Sequence, residues 1–571
     1  MTKAKRLLEL GGDRVSLEVQ FVIAGTDRAA GEGIVLRPPI RTSRWPATLR
    51  PACSPYPMSL SRCRLFLLLS VCLSAAAGHA ATPAATPRTR PNILFAISDD
   101  QSHAHTSFAG YKAVNTPAFD RVAREGIFFR NAFAPSPGCS PTRAAFLTGR
   151  HTWQIEHAGT HASSFPAKYV VFPDLLEKAG YFVGLTGKGW SPGKFEGDGR
   201  TRNPAGPAFD RRRTEGPTPG IGKNDYAANF ADFLAARPKD QPFYFWFGGQ
   251  EPHRAFTPGS GLKAGKRLAD APPPPFLPDT PEVRSDLLDY CLEIEWFDTH
   301  LGRMLQQLEA AGELDHTLVI VTSDNGMAFP RAKANLYEYG FHEPLAIRWG
   351  ARVAGGRIVD DLVGFVDLTA TILDAAGVTH PGTTYPLSGR SLMNILQSKQ
   401  QGRVDPTRTA VYAARERHSS ARYDNATYPQ RALRTPEFLY VRNFRPDRWP
   451  AGDPVVLDGK GKPERPHSGY KDIDPGATLD FLIARADDPV LGRYLQLAVA
   501  KRPAEELFDI VKDPGCLDNL AARPEFATVR AQLAKQLEDY LRQTGDARIL
   551  NGGEIWETYP RYSPVRSFPK P

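Results

Sequence analysis

The chain has 571 residues, 41% of them hydrophobic and 23% charged. That composition excludes a disordered or fibrous protein, and the length predicts more than one domain. The formal charge of +9 is uneven: residues 1–57 contribute +4 and Arg62 with Arg64 a further +2, leaving +3 for the rest, which excludes a general nucleic-acid-binding surface but not a local basic cleft.

Met58 opens a segment that reads as a secretory signal. Arg62 and Arg64 precede the apolar run Leu65 to Leu73, and small residues continue to Ala80 and Ala81. The run is too short for a stable membrane span. Residues 1–57 therefore read as an over-long gene start, residues 58–80 as the signal peptide, and the protein as exported, periplasmic or secreted. Past the signal only Cys139, Cys291 and Cys516 remain, which make no disulfide framework.

Beyond residue 90, short apolar runs alternate with helical patterns. Asn92 to Ile97 predicts a buried strand ending at Asp99 and Asp100. Thr116-Pro117 opens a helix that closes near Gly126, and Phe172 to Ala179 predicts another. Tyr181 to Leu185 is a strand leading to Lys188, and Phe243 to Phe247 one leading to Gln250 to Arg254. Val283 to Ala311 carries an apolar stripe at helical spacing. Leu318 to Thr322 is a strand ending at Asp324 and Asn325, and Asp367 to Gly377 a further helix. Continuous apolar strands alternating with helices predict an α/β fold, a mostly parallel sheet covered by helices on both faces. Residues that follow strand ends then gather at one mouth.

The chain turns polar between Gln397 and Asp405. The boundary is placed there, with a catalytic domain over 91–396 and a smaller C-terminal α+β subdomain over 406–560. The latter has a strand at Phe438 to Val441 and a last helix at Ala527 to Thr544.

Asp99, Asp100, Asp324 and Asn325 supply three carboxylates and an amide carbonyl, hard oxygen ligands that suit calcium or magnesium rather than zinc. Cys139 offers a nucleophile at a predicted helix start, where free N–H groups favour developing negative charge. Arg143 follows one turn later. His253, in Gln250-Glu251-Pro252-His253-Arg254, is the candidate proton donor to a leaving group.

Cys139-Ser140-Pro141-Thr142-Arg143, continuing to Leu147-Thr148-Gly149-Arg150, resembles the signature of the type I, formylglycine-dependent sulfatases of the alkaline phosphatase superfamily. Asp99-Asp100, Thr186-Gly187-Lys188, Pro252-His253-Arg254 and Thr322-Ser323-Asp324-Asn325-Gly326 occur in that family's order. So does a C-terminal signature, Glu506-Leu507-Phe508-Asp509 with Asp513-Pro514 and Asn519-Leu520. The resemblance implies an alkaline-phosphatase-like fold and sulfate-ester hydrolysis by a formylglycine hydrate made from Cys139. It implies a Ca2+ ion held by Asp99, Asp100, Asp324, Asn325 and the modified Cys139, with Arg143, Lys188 and Lys333 neutralising charge. The implied partners are a sulfated glycan and a formylglycine-generating or other sulfatase-maturing enzyme.

Within the family, Ser136 to Ala144, Glu251 to Arg254, Phe276 to Pro281 and Asp324 to Pro330 with Asn335-Leu336-Tyr337 resemble the heparan N-sulfatase branch, implying N-sulfoglucosamine as substrate. An O-sulfatase acting on a carbohydrate or aryl sulfate shares the chemistry, and a non-catalytic glycan-binding relative shares the site. The family's Lys-x-His becomes Lys188-Gly189-Trp190. Trp190 is a candidate to stack on a sugar or is packing. The lost histidine's function is absent or passes elsewhere, with His161 the candidate. Arg254 completes the substrate-binding set.

Overall fold

In a computed structural model, the described residues are 90–571 apart from Thr383. The signal-peptide and gene-start readings lie outside them. Seven strands form the larger sheet: β1 (Asn92–Ser98), β2 (Ile127–Phe133), β3 (Phe182–Gly187), β4 (Phe243–Gly248), β5 (Thr317–Ser323), β6 (Leu345–Arg348) and β7 (Arg357–Gly364). Their order is β3-β4-β1-β5-β6-β2-β7, and only β6 runs against its neighbours. The mostly parallel α/β sheet expected from the sequence is therefore present.

Both faces are covered because both are apolar. Ile93, Phe95 and Ile97 of β1 join Trp246, Ile320 and Phe146 on one face. Leu94 and Ala96 turn to the other, against Phe245, Val319 and Leu301. This period-two division of a continuous apolar run is what buried parallel strands require. The long helix Pro281–Ala310 covers the second face together with Pro117–Glu125 and Tyr226–Ala236. Thr280 caps the long helix through Val283 N, and Pro281 sits in its first turn, where no N–H is needed.

Strand register sets the position of the site. Ser98 lies level with Ser323, Ile97 with Gly248, and Gly248 with Gly187. The turns after β1, β3, β4 and β5 therefore leave the sheet at one edge, the carboxyl end where open α/β sheets bind ligands.

Four antiparallel strands follow: β8 (Val411–Arg415), β9 (Gln430–Arg434), β10 (Phe438–Asn443) and β11 (Glu505–Asp509), in the order β11-β10-β9-β8. Helix Ala527–Gln543 lays Leu533, Leu537 and Leu541 against Leu433, Tyr440 and Leu507 of this sheet. This is the smaller α+β part. No helix among the described residues is long and apolar enough to cross a membrane.

Candidate active site

Cys139 is the first residue of helix Cys139–Thr148 and is 1% exposed. Gly138 precedes it because there is little room for a side chain: a Cβ there would lie 3.1 Å from His418 Nδ1. Cys139 Sγ lies 3.3 Å from Asp99 Oδ1 and 3.8 Å from Asp100 Oδ1. Successive residues of a strand point to opposite faces, yet both carboxylates reach the same sulfur. Asp100 has a φ of 75°, and this left-handed step breaks the alternation. Asp324 enters from the end of β5, where its N–H donates to Ser98 O at 3.2 Å. The turn continues through Gly326, where a Cβ would fall 1.9 Å from Tyr339 O, so only glycine fits.

Ligand atoms of Asp99, Asp100, Cys139 and Asp324 all lie within 4.8 Å of one another. Asn325 Nδ2 donates to Asp100 Oδ1 at 2.7 Å, leaving Asn325 Oδ1 buried without a hydrogen-bond partner. A buried, unsatisfied carbonyl oxygen beside three carboxylates is what a hard cation would complete. The donor set fits the expected metal.

Three cations balance the carboxylates. Arg143 Nε donates to Asp324 at 2.7 Å and its Nη1 to Lys188 O at 2.6 Å, while Nη2 has no hydrogen-bond partner and lies 4.0 Å from Asp99. Lys188 Nζ donates to Asp99 at 2.5 Å and Lys333 Nζ to Asp100 at 2.6 Å. Burial alone would raise the Asp99 carboxyl, but Lys188, His253, Arg143 and Lys333 hold it well below the usual carboxylate range. Asp324 goes the other way: burial and the Asp99 charge push it up to about 6. Burial and Asp99 also push the Cys139 thiol well up, so this environment opposes a free thiolate.

His253 Nδ1 lies 2.6 Å from Arg254 O. A carbonyl only accepts, so Nδ1 carries the proton there, and Nε2 is left 3.9 Å from Asp100 Oδ2. The side chain is 37% exposed, which leaves it open to a leaving group.

Two expected substrate contacts are corrected by the packing. Trp190 is 1% exposed, donates its indole N–H to Ser140 O at 3.0 Å and meets Phe165 edge-on. It props the nucleophile helix and presents no face to a sugar. Arg254 makes a two-pronged pair with Asp286 at 2.9 and 2.6 Å, donates to Ala328 O and lies between Phe256 and Phe329. Its guanidinium is committed to the fold. His161 lies beside His418, ring centres 4.5 Å apart, with its Nδ1 unpartnered.

Sequence reasoning missed Asp474 and His418. Asp474 Oδ2 lies 2.9 Å from Lys333 Nζ, and a ligand atom of Asp474 lies within 4.8 Å of those of Asp100 and His253. Both residues come from a C-terminal stretch without a motif. The one available signal was the concentration of charge between Glu416 and Asp474.

With the sheet, the strand-end carboxylates and the helix-start cysteine in place, the comparisons with known proteins are direct. The Sulfatase family model matches residues 91–378, and a second, "N-sulphoglucosamine sulphohydrolase, C-terminal", matches residues 331–449. The chain belongs to the sulfatase family and is a hydrolase of that class. It is 30% identical over 531 residues to the human N-sulphoglucosamine sulphohydrolase, covering 85% of this chain and 93% of that protein. It is 27% identical over 535 residues to an ulvan-active sulfatase of Formosa agariphila, covering 84% and 80%. A solved structure of a protein in complex with its substrate D-glucosamine-2-N,6-O-disulfate superposes with a TM-score of 0.55 at 21% identity, covering 80% of this chain and 98% of that one.

Proposed function

We propose that this protein removes the sulfate group of N-sulfoglucosamine in a heparin- or heparan-like glycan. The observation that carries the substrate choice is the match of residues 331–449 to the C-terminal model of N-sulphoglucosamine sulphohydrolase. It is supported by the human relative of that name, whose length the chain nearly spans.

Asp99, Asp100, Asp324, Asn325 and position 139 would hold Ca2+, and Cys139 would be converted to formylglycine by a maturing enzyme after synthesis. The ion would polarise the sulfate oxygens, and the formylglycine hydrate would supply the attacking oxygen. The remaining work falls to the chain's own side chains. Arg143, fixed by Asp324 and the Lys188 carbonyl, turns its unpartnered Nη2 toward Asp99 and the nucleophile's surroundings. Lys188 and Lys333 are buried point charges that meet the anionic group. With Asp474 on Lys333, four carboxylates face these three cations, so a divalent ion leaves a small positive excess that an anionic substrate offsets. In its doubly protonated form His253 keeps Nδ1–H on a carbonyl and gives the Nε2 proton to the leaving nitrogen, becoming neutral.

A second reading, O-sulfate hydrolysis, is favoured by one observation: Trp190 stands where the family pattern has histidine, and it is buried. Sulfate release from N-sulfoglucosamine and from 6-O-sulfated N-acetylglucosamine separates the two. The proposal expects release from the first, lost on chelation and restored by calcium. Release from the O-sulfated sugar alone sinks it.

A further inference from the structure

Two cavities lie in the C-terminal part, apart from the residues of the active site. One, of about 780 Å3, is lined by Trp449, Tyr423, Lys501 and Lys570; the other, of about 680 Å3, by Arg493 and Tyr494, again with Lys501. Both volumes fall within the roughly 300–1,000 Å3 of small-molecule sites. Lys501 lines both, so the two cavities are neighbours, a trough in two parts.

The cations along this trough divide into two kinds, and the carboxylates of Asp424 and Asp453 line it as well. Arg445, Arg448 and Arg422 are spent on Asp447, Glu557 and Asp472. Lys501, Arg493 and Lys570 pair with no carboxylate among the described residues. Lys501 Nζ instead lies 4.9 Å from the Trp449 ring centre, and the Arg493 guanidinium 4.7 Å from that of Tyr494. Lys501 and Arg493 are exposed, and Tyr423 is 38% exposed. Each of these cations lies over its ring, so the exposed Tyr423 is the ring left to stack on a sugar, with Lys501 and Lys570 lining the same cavity to meet an acidic substituent by charge.

We propose that this trough is a second saccharide-binding site, outside the catalytic pocket, for a segment of glycan bearing sulfate or carboxylate groups. It rests on the sulfated-glycan reading of the active site and deepens it: the trough would hold the chain while the catalytic pocket works on one residue. It also has a physical link to that pocket. Arg422 at the trough pairs with Asp472, which accepts from Ser419 N at 2.7 Å, next to the His418 that faces Gly138.

The test is calorimetric titration of the full chain, in a Cys139→Ala background that prevents turnover, with a heparin octasaccharide. Neutral maltooctaose and an oligothymidylate of equal length serve as controls. Lys501→Glu and Tyr423→Ala are each expected to weaken octasaccharide binding about tenfold, the loss of one cation or one stacking face. The same substitutions with Cys139 intact are expected to leave sulfate release from monomeric N-sulfoglucosamine within twofold of wild type. Unchanged octasaccharide affinity in both variants overturns the proposal, as does equal binding of maltooctaose or of the oligothymidylate. Absence of sulfate release from the wild type contradicts the active-site reading alone, since the binding titrations stand without it.

Discussion

Two regions of this molecule bury clusters of arginine and carboxylate, and they are finished differently. Behind the small sheet, Arg431 bonds Asp546 and Glu416, and Arg548 bonds both oxygens of Glu416. Asp546 also accepts from Arg548 N at 2.9 Å. Each carboxylate oxygen there has a donor. At the carboxyl edge of the large sheet the charges are as deeply buried, yet Asn325 Oδ1 and Arg143 Nη2 have no hydrogen-bond partner, and three carboxylates crowd one sulfur. Burial of ions is tolerated when they are paired and hydrogen-bonded. The first cluster meets that condition by itself and holds the fold. The second does not meet it by itself, and three carboxylates gathered on one cysteine sulfur mark it as a site.

Substitutions should separate the two. Cys139→Ala is expected to lower turnover by at least about 10^4-fold, as removal of a nucleophile does, with an unchanged melting temperature. Residual activity within tenfold of wild type would show that another group attacks. In the other cluster, Arg431→Met leaves Asp546 with only the Arg548 N–H, while Glu416 keeps Arg548, and should cost about 3–5 kcal/mol of stability. Denaturant unfolding measures that, and specific activity of the remaining folded protein should hold. Arg143→Lys keeps the charge but loses the fork that joins Asp324 to the Lys188 carbonyl. A fall of about 10^2-fold in kcat is expected, with a smaller stability loss than for Arg431→Met; wild-type kcat would remove Arg143 from the site.

The smallest effect concerns acid. Burial would raise the Glu557 carboxyl, but the Thr427 hydroxyl and N–H and the Arg448 guanidinium bring it down to about 2 from an ordinary 4.5. A depressed carboxyl stabilises the fold fully above its unfolded value, and that share is lost as pH falls from about 4.5 towards 2. Glu557→Gln should therefore cost about 1 kcal/mol at neutral pH. Its gap from wild type should narrow on acidification, and a constant gap contradicts the assignment.

The incomplete cluster was the more legible of the two in the sequence. Asp99, Asp324, Lys188 and His253 each follow a strand by a few residues, and strand ends of a parallel sheet converge. Side-chain direction was not legible. Trp190 and Arg254 neighbour site residues in sequence but turn into the packing, because Ser140 O and Asp286 wait for them there. Asp474 and His418 reach the site through long-range packing of the C-terminal part, which leaves no local pattern. The self-sufficient Arg431 cluster was invisible for the same reason: its partners lie 15 and 115 residues away.

The most direct test of the central claim is the mass of the peptide containing Cys139, from protein expressed with a sulfatase-maturing enzyme, measured alongside sulfate release from N-sulfoglucosamine. The account predicts formylglycine at position 139 and activity in proportion to the converted fraction. Full activity from protein whose Cys139 remains an unmodified thiol would contradict it.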